Sequence, residues 1–462
     1  MSNIEQRDAF LSYRTVWRWH FYAGLFAIPF IIFLSITGSL YLFRPQVETW
    51  LDRPFDTMAT AQTAPPSQVV DVVLAQNPGW MLRGYQLPRG DHSAAQVILT
   101  RKGVERRFYV DRSDLRILKT VGEEDRPMRV LFWLHGELLS GKRGSNLVEL
   151  AASWGIIMIL TGLYLWWPRN VTGLGGVLYP RLGRGSRTVL RDIHAVTGLW
   201  VSIFALGFLM SGLPWANNWG HYLKAVRGLT GAVAITQNWT TGSADERQAR
   251  EARDVSAQHA MAMGDHAMHD MPGMVMAGDG AMMVPPGLDT VFAVAQRLDL
   301  AAPVVLTPAT DGSAIWTAAS QTQNRPHRAT VRLDGLTGHV VSRTDFSQLY
   351  WLDRLIGFTT AAHEGQLFGW FNTLLNLALA ISLITVCVSA VVMWWRRRAP
   401  DSLGAPVAQR AAAWSWGLGL VVLLLGVLLP EFLASLLLVL AVEYMVLRRL
   451  PRARDWLGLA AR

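Results

Sequence analysis

The sequence predicts a membrane protein, mainly α-helical, in which a helix–α+β domain–helix unit is used twice to build a four-helix core. A C-terminal transmembrane hairpin follows, giving about six spans with both termini cytoplasmic. Three observations carry this expectation: long uncharged runs, clusters of arginine that alternate with them, and motifs that recur in the same order in both halves of the chain.

Apolar residues make up 51% of the 462 and charged residues only 17%. Residues 21–43, 150–167, 195–220, 365–395 and 411–430 contain no Asp, Glu, Lys or Arg, and 432–447 is interrupted only by Glu443. A bilayer core of ~30 Å takes about 20 apolar residues as a helix. The first span is therefore placed at 20–43 and the third at 194–219. The second and fourth occupy 135–167 and 363–395, each preceded by a histidine-bearing segment, and a hairpin covers 411–447. The first run is expected to be retained, because it exceeds the about 7–15 residues of a signal-peptide apolar region and lacks a small-residue cleavage site. Trp17, Trp19 and Tyr22 at its start are expected interfacial anchors.

The net charge of +9 is distributed unevenly. Arginines cluster in 1–19 (Arg7, Arg14, Arg18), in the loop 168–193 (Arg169, Arg181, Arg184, Arg187, Arg191), in 396–410 (Arg396, Arg397, Arg398) and in the tail 448–462 (Arg448, Arg449, Arg452, Arg454). Positive charge gathers on the cytoplasmic side of membrane proteins, so these segments face inward and the loops 44–134 and 220–362 face outward. The pattern sets topology against a lipid surface and argues against a nucleic-acid partner. Cys387 is the lone cysteine and sits in the fourth span, which excludes an intrachain disulfide, a thiolate zinc site and an iron–sulfur cluster.

The duplication reads directly from the motifs. The first span opens RWHFYAG and the third RDIHAVTG, so Arg18, His20 and Gly24 match Arg191, His194 and Gly198. The ends ITGSLYL and MSGLPWA also correspond. The second span runs from LHGELLSG to LTGLYLWWPR and the fourth from AHEGQLFG to SAVVMWWRRR, with Trp166–Trp167 matching Trp394–Trp395. In the first outer loop, VVDVVLAQNPG reads as a helix before the alternating strands AQVILT, RRFYVD and LRILKTV. In the second, LDTVFAVAQRLDL precedes AIWTAA and HRATVRLDGLTGHVVSRT, whose DGLTGHVV reads as a hairpin. Each loop is thus expected to be a small α+β domain, and the C-terminal hairpin to fold about Pro430 and Glu431.

Four histidines acquire meaning from this arrangement. His20 and His194 lie at the cytoplasmic start of outward-going helices, and His135 and His363 on the outer side just before inward-going ones. Ionisable groups at membrane depth need partners and mark functional sites. Zinc usually takes three or four ligands, whereas haem takes two axial ones and its apolar body suits a helix bundle. Bis-histidine ligation of a haem on each face would divide an electron's path across the bilayer. Gly24 and Gly198 would then leave room for the macrocycle or serve a helix contact. His221, without a counterpart in the first half, competes for the outer site. His92, His327 and His339 are expected at the surface.

RWHFYAG, LHGELLSG with TGLYLWWPR, RDIHAVTGLW and AHEGQLFG with MWWRRR resemble the PepSY-associated transmembrane proteins, which include iron-regulated membrane proteins and ferric-siderophore reductases. The resemblance covers roughly residues 10–400. It implies PepSY-like outer domains and a core with two b-type haems in the bacterial inner (cytoplasmic) membrane. That core would reduce a periplasmic ferric-siderophore or other ferric chelate. It places the family's haem-binding histidines on His20, His135, His194 and His363. No dinucleotide fingerprint follows a strand here, so the electron donor would be a quinol or a cytoplasmic flavoprotein.

One stretch departs from that pattern. HAMAMGDHAMHDMPGM offers His259, Met261, Met263, His266, Met268, His269, Met271 and Met274 as metal ligands, for copper or iron. Thioethers favour Cu(I), which raises copper reduction or homeostasis as a second reading. With no apolar periodicity, the run 259–283, flanked by the polar TTGSADERQAREARD and by MMVPPG, reads as a mobile tether. A third reading is a membrane-anchored PepSY protein that binds a periplasmic partner without catalysis.

Overall fold

A computed structural model describes residues 13–57, 63–169, 173–229, 242–269, 286–406 and 416–459, with side chains omitted over 260–269. In chain order the helices are α1 (Tyr13–Tyr41), α2 (Arg44–Asp52), α3 (Pro66–Ala75), α4 (Pro127–Glu137), α5 (Gly141–Trp166), α6 (Ser186–Gly212) and α7 (Asn217–Leu229). They continue with α8 (Gly242–His269), α9 (Leu288–Ala295), α10 (Trp351–His363), α11 (Trp370–Arg397), α12 (Trp416–Leu428), α13 (Pro430–Met445) and α14 (Pro451–Leu457). The strands are β1 (Met81–Gln86), β2 (Ala95–Arg101), β3 (Val104–Val110), β4 (Ile117–Gly122), β5 (Val304–Pro308), β6 (Ile315–Ser320), β7 (Ala329–Asp334) and β8 (Val340–Asp345). The chain divides into two compact units, one formed by 1–40, 135–234 and 374–462, the other by 41–134 and 235–373.

The first unit is helical. α1, α5, α11, α6 with its one-turn extension to Trp215, and α13 with its extension to Arg449 are long and apolar enough to cross a membrane. α12 is apolar but has 13 residues, about 20 Å of helix at 1.5 Å per residue; the nine residues before it, 407–415, lie outside the described chain. The C-terminal hairpin docks on α5: Trp154 meets Phe432 edge-on with centroids 5.1 Å apart and donates from Nε1 to Ser435 Oγ at 3.0 Å. Gly426 lets α12 and α13 close up, since an added Cβ would lie 2.9 Å from Leu433 Cδ2. α14 returns to the start of α1, where Arg18 donates to the carbonyl of Gly458 at 2.6 Å and Tyr22 to that of Leu457 at 2.5 Å.

The second unit corrects one expectation. Instead of two small domains, both outer loops contribute to a single antiparallel sheet in the order β4-β3-β2-β1-β5-β6-β7-β8. The seam is β1 against β5, with Tyr85 opposite Leu306 and Gln86 opposite Val305. Gly84 makes that approach feasible: a Cβ there would come within 2.8 Å of Val305 Cγ1 and 3.0 Å of the Leu306 carbonyl. Joining the halves pairs two edges that would otherwise present open backbone groups. One sheet face and the helices α3 and α9 share a core of Val69, Val73, Leu99, Phe108, Val291, Leu306, Trp316 and Leu333. Ser67 ties the two helix starts together, donating from its backbone and hydroxyl to Asp289.

Over β1–β3 the opposite face is polar yet covered, whereas over β7 and β8 it is exposed. Arg107 is buried among Gln86, Gln96 and Glu123, forking onto the Glu123 carboxylate at 2.5 and 3.2 Å. Burial would raise the Glu123 pKa, but Arg107 and Arg126 overcome it and hold the carboxyl down at about 2.

The start of the run expected as a tether, 259–269, is instead the end of a helix that the polar segment before it begins, and 270–283 lie outside the described residues. Residues 242–269 form α8, which docks on the β2–β3 hairpin. Asp254, 3% exposed, accepts from Thr100 Oγ1 at 2.7 Å and from the Gly103 amide at 2.8 Å. Arg253 pairs with Glu105 at 2.8 Å, while Arg250 pairs with Glu246 at 3.0 Å and with Glu124. Ala, Glu, Arg, Gln and Met are strong helix formers, and Arg247–Glu251 adds a further i,i+4 pair. Because this helix binds through charges, it carries no apolar stripe to announce it.

Candidate functional site

The helices of the first unit bring His20 and His194 together. His20 lies two turns into α1 and His194 two turns into α6, and their rings stand 6.4 Å apart between centroids at an interplanar angle of 84°. α5 and α11 complete the setting, with Thr161 near the end of α5 and Val386 and Ser389 in the second half of α11. His20 Nδ1 lies 3.0 Å from Thr161 Oγ1, and His194 Nδ1 lies 3.0 Å from the Val386 carbonyl and 3.4 Å from Ser389 Oγ.

The Val386 carbonyl can only accept, so His194 Nδ1 carries a proton and Nε2 is its basic nitrogen. The Thr161 hydroxyl also lies 2.7 Å from the Ile157 carbonyl; donating there, it would accept from His20 Nδ1 and leave Nε2 as the basic nitrogen of that ring too.

Two metal–imidazole bonds of roughly 2.0–2.1 Å put the centroids of two axial rings about 6 Å apart, which the observed 6.4 Å suits. Among the described residues no group of three or more His, Cys, Asp and Glu is placed to hold a bare metal ion. Haem supplies its own equatorial nitrogens and asks the protein only for axial ligands. The donor set and its spacing therefore fit a haem.

The surrounding glycines sort themselves. Gly24 packs on α5, where a Cβ would touch Met158 Cε at 3.6 Å, so it serves a helix contact. A Cβ at Gly198 would meet nothing within 4 Å. The glycine pressed against His20 is Gly162, whose Cβ would fall 3.2 Å from His20 Cε1.

His135 occupies the last turn of α4, in the same unit. Its Nδ1 lies 3.0 Å from Thr37 Oγ1, which itself donates to the Phe33 carbonyl at 3.0 Å. Gly38 faces the ring, with a Cβ position 3.1 Å from His135 Cε1. Leu138 and Leu139 then take positive φ, 50° and 53°, to turn the chain into α5. Glu137, beside the histidine in sequence, is buried at 4% exposure.

His363 closes α10 in the second unit, before a turn at Gly365 that leads to α11. The neighbouring Glu364 is held by Arg325 at 3.4 Å and Gln323 at 3.3 Å. Arg44 binds Glu48 at 3.0 Å and Tyr41 at 2.9 Å, and Arg126 reaches the same glutamate at 3.3 Å. Arg328 donates to the Thr322 carbonyl at 2.6 Å. Burial and then the like charge of Arg325 pull its pKa down to about 10.

The remaining candidates divide. His221 is exposed on α7 and bonds back to the Asn217 carbonyl. His92, His327 and His339 are exposed, as expected. His259 is exposed on α8 and bonds to the Val255 carbonyl at 3.0 Å. Met261, Met263, His266, Met268 and His269 lie on the helical backbone of α8, and Met271 and Met274 fall outside the described residues. Cys387 is buried, as its place in the fourth span requires. Sequence reasoning missed Thr37, Gly38, Thr161 and Gly162. The signal was the Thr-Gly dipeptide shared by ITGSLYL and LTGLYLWW.

A family model described as the PepSY-associated TM region matches residues 17–397, well over half of the chain. No curated protein matches it.

Proposed function

Because the chain belongs to the PepSY-associated transmembrane family, we propose that it is an inner-membrane di-haem oxidoreductase delivering electrons to a periplasmic ferric-siderophore or other ferric chelate. The observation that carries the reading is the His20–His194 pair: two imidazoles at axial spacing, each with Nδ1 bonded and Nε2 available as ligand. His135 has a threonine at Nδ1 as His20 does, and the family pattern adds His135 and His363 as further candidate ligands.

A haem bound between such histidines supplies reversible one-electron iron chemistry. His20 and His194 hold the cytoplasmic position, and the apolar walls of α1, α5, α6 and α11 keep water from it. The family resemblance gives His135 and His363 the part of ligands on the periplasmic side. A quinol or a cytoplasmic flavoprotein would be the electron source.

Purified protein should show a reduced b-type spectrum with two haems per chain, one per histidine pair. His20→Ala or His194→Ala should remove one haem and block reduction from the cytoplasmic side. Well-folded protein free of haem would refute the proposal. Dithionite-reduced protein should be reoxidised by ferric chelates. Rapid oxidation by Cu(II) alone would favour copper, the reading that the methionine–histidine run supports. Removing 259–283 should leave both haems in place.

A further inference from the structure

The first repeat contains two copies of one local device. On α5, Thr161 accepts from His20 Nδ1 while Gly162 lies against the His20 ring. On α1, Thr37 accepts from His135 Nδ1 while Gly38 lies against the His135 ring. The two threonines behave alike in detail. Each hydroxyl donates to the carbonyl four residues earlier, Ile157 for Thr161 and Phe33 for Thr37, which leaves only its lone pairs for the histidine. Each following glycine lacks the methyl group that would crowd the ring, at 3.2 and 3.1 Å from Cε1. α1 thus gives one histidine and one Thr-Gly cradle, and α4–α5 give the reciprocal pair.

We infer that Thr37 and Thr161 are positioning residues that fix His135 and His20 in the Nδ1-protonated tautomer and set the donor strength of each Nε2. This rests on the haem reading for its effect on potential, but the tautomer itself does not depend on a bound group. An acceptor on Nδ1–H gives imidazole partial imidazolate character and strengthens it as a ligand, and such outer partners typically govern metal affinity by about 10–100-fold. The chain of donors makes this acceptor a good one, since a hydroxyl that donates to a carbonyl is polarised to accept. His194 is arranged otherwise: its Nδ1 acceptor is mainly the Val386 carbonyl, which no side-chain substitution removes. The two axial ligands of the cytoplasmic site are therefore separately adjustable, and Thr161 is the adjustable one.

Thr161→Val keeps the shape of the side chain and deletes the acceptor, whereas Thr161→Ser keeps it. In a redox titration, T161V should raise the midpoint potential of one haem, T37V should raise that of the other, and both serine variants should return to the wild-type values. Nitrogen-15 NMR of histidine-labelled protein supplies a readout that needs no haem. One Nδ1-protonated signal should be lost or shifted in each valine variant and kept in each serine variant. Unchanged potentials and unchanged histidine signals in T161V and T37V, with haem content normal, would overturn the inference and leave the haem reading standing. If the wild type binds no haem, the functional reading fails, and the NMR comparison alone still decides the tautomer assignment. Should a valine variant not fold, Thr161→Ala and Thr37→Ala give the same comparison against serine.

Discussion

Gly162→Ala and Gly38→Ala test whether the glycines beside the histidines matter for what the histidines hold. The added methyl carbons would sit 3.2 Å from His20 Cε1 and 3.1 Å from His135 Cε1. Ordinary carbon contacts are about 3.5–4.0 Å, so each ring must retreat by a few tenths of an ångström or the helices must part. Overpacking of this kind costs about 1–3 kcal/mol, a factor of about 5–150 in an equilibrium constant at 1.4 kcal/mol per tenfold. The intrinsic gain of alanine over glycine in a helix, about 1 kcal/mol, has the opposite sign for the fold. Haem retention should therefore fall, and the haem-free protein should be between level and about 2 kcal/mol less stable. The assay is the haem-to-protein ratio through purification, with the two haems resolved by their potentials. G162A should affect one haem and G38A the other. Gly207→Ala, whose Cβ would meet nothing within 4 Å, is the control. Equal haem retention in all three variants would refute the reasoning, as would loss of the same haem in both G162A and G38A.

Three further outcomes follow from the outer unit. Glu123 is held at about 2, below its ordinary 4.5, so its contribution to stability is full above pH 4.5 and lost as pH falls through 2. At ~1.4 kcal/mol per unit that is on the order of 3 kcal/mol. Glu123→Gln should cost about as much at neutral pH, because it leaves Arg107 buried without its carboxylate, and a denaturation midpoint unchanged from wild type would contradict this. Asp254→Ala removes two buried hydrogen bonds that dock α8, and should speed proteolysis within 242–269 without altering haem content; unchanged cleavage rates would show that the salt bridges alone suffice. Gly84→Val should break the β1–β5 seam, given a Cβ position 2.8 Å from Val305 Cγ1, and lower the melting temperature of the sheet far more than the same change at the exposed Gly90.

Much of this molecule is legible locally. Span length, arginine placement and the recurrence of RWH and RDIH motifs follow from short stretches of chain; in the structure His20 and His194 lie two turns into α1 and α6, and His135 and His363 at the ends of α4 and α10. Strands such as AQVILT and the hairpin at DGLTGHVV are legible for the same reason, since alternation and turn residues are local signals. The two strands not read were β1, MLRGYQ, and β5, VVLTP. A glycine and an arginine interrupt the first, and prolines bound the second, so neither alternates cleanly. They are the pair that fuses the two halves, and the glycine that hid β1 is the one that admits β5. α8 escaped for a related reason: it docks through Asp254, Arg250 and Arg253, and a charged docking face leaves no apolar period.

The sequence by itself determined that this is a membrane protein with a duplicated architecture and histidines at repeat-equivalent positions. Hydrophobicity and charge act residue by residue and need no partner to be read. Only the tertiary structure decided that the His20 and His194 rings stand 6.4 Å apart, that Thr161 and Thr37 stand 3.0 Å from Nδ1 of their histidines, and that both long loops close into one sheet. Each of these depends on atoms far apart in the chain, where the outcome is set by which surfaces can approach: a glycine in place of a methyl group, and a hydroxyl whose own proton is already committed elsewhere.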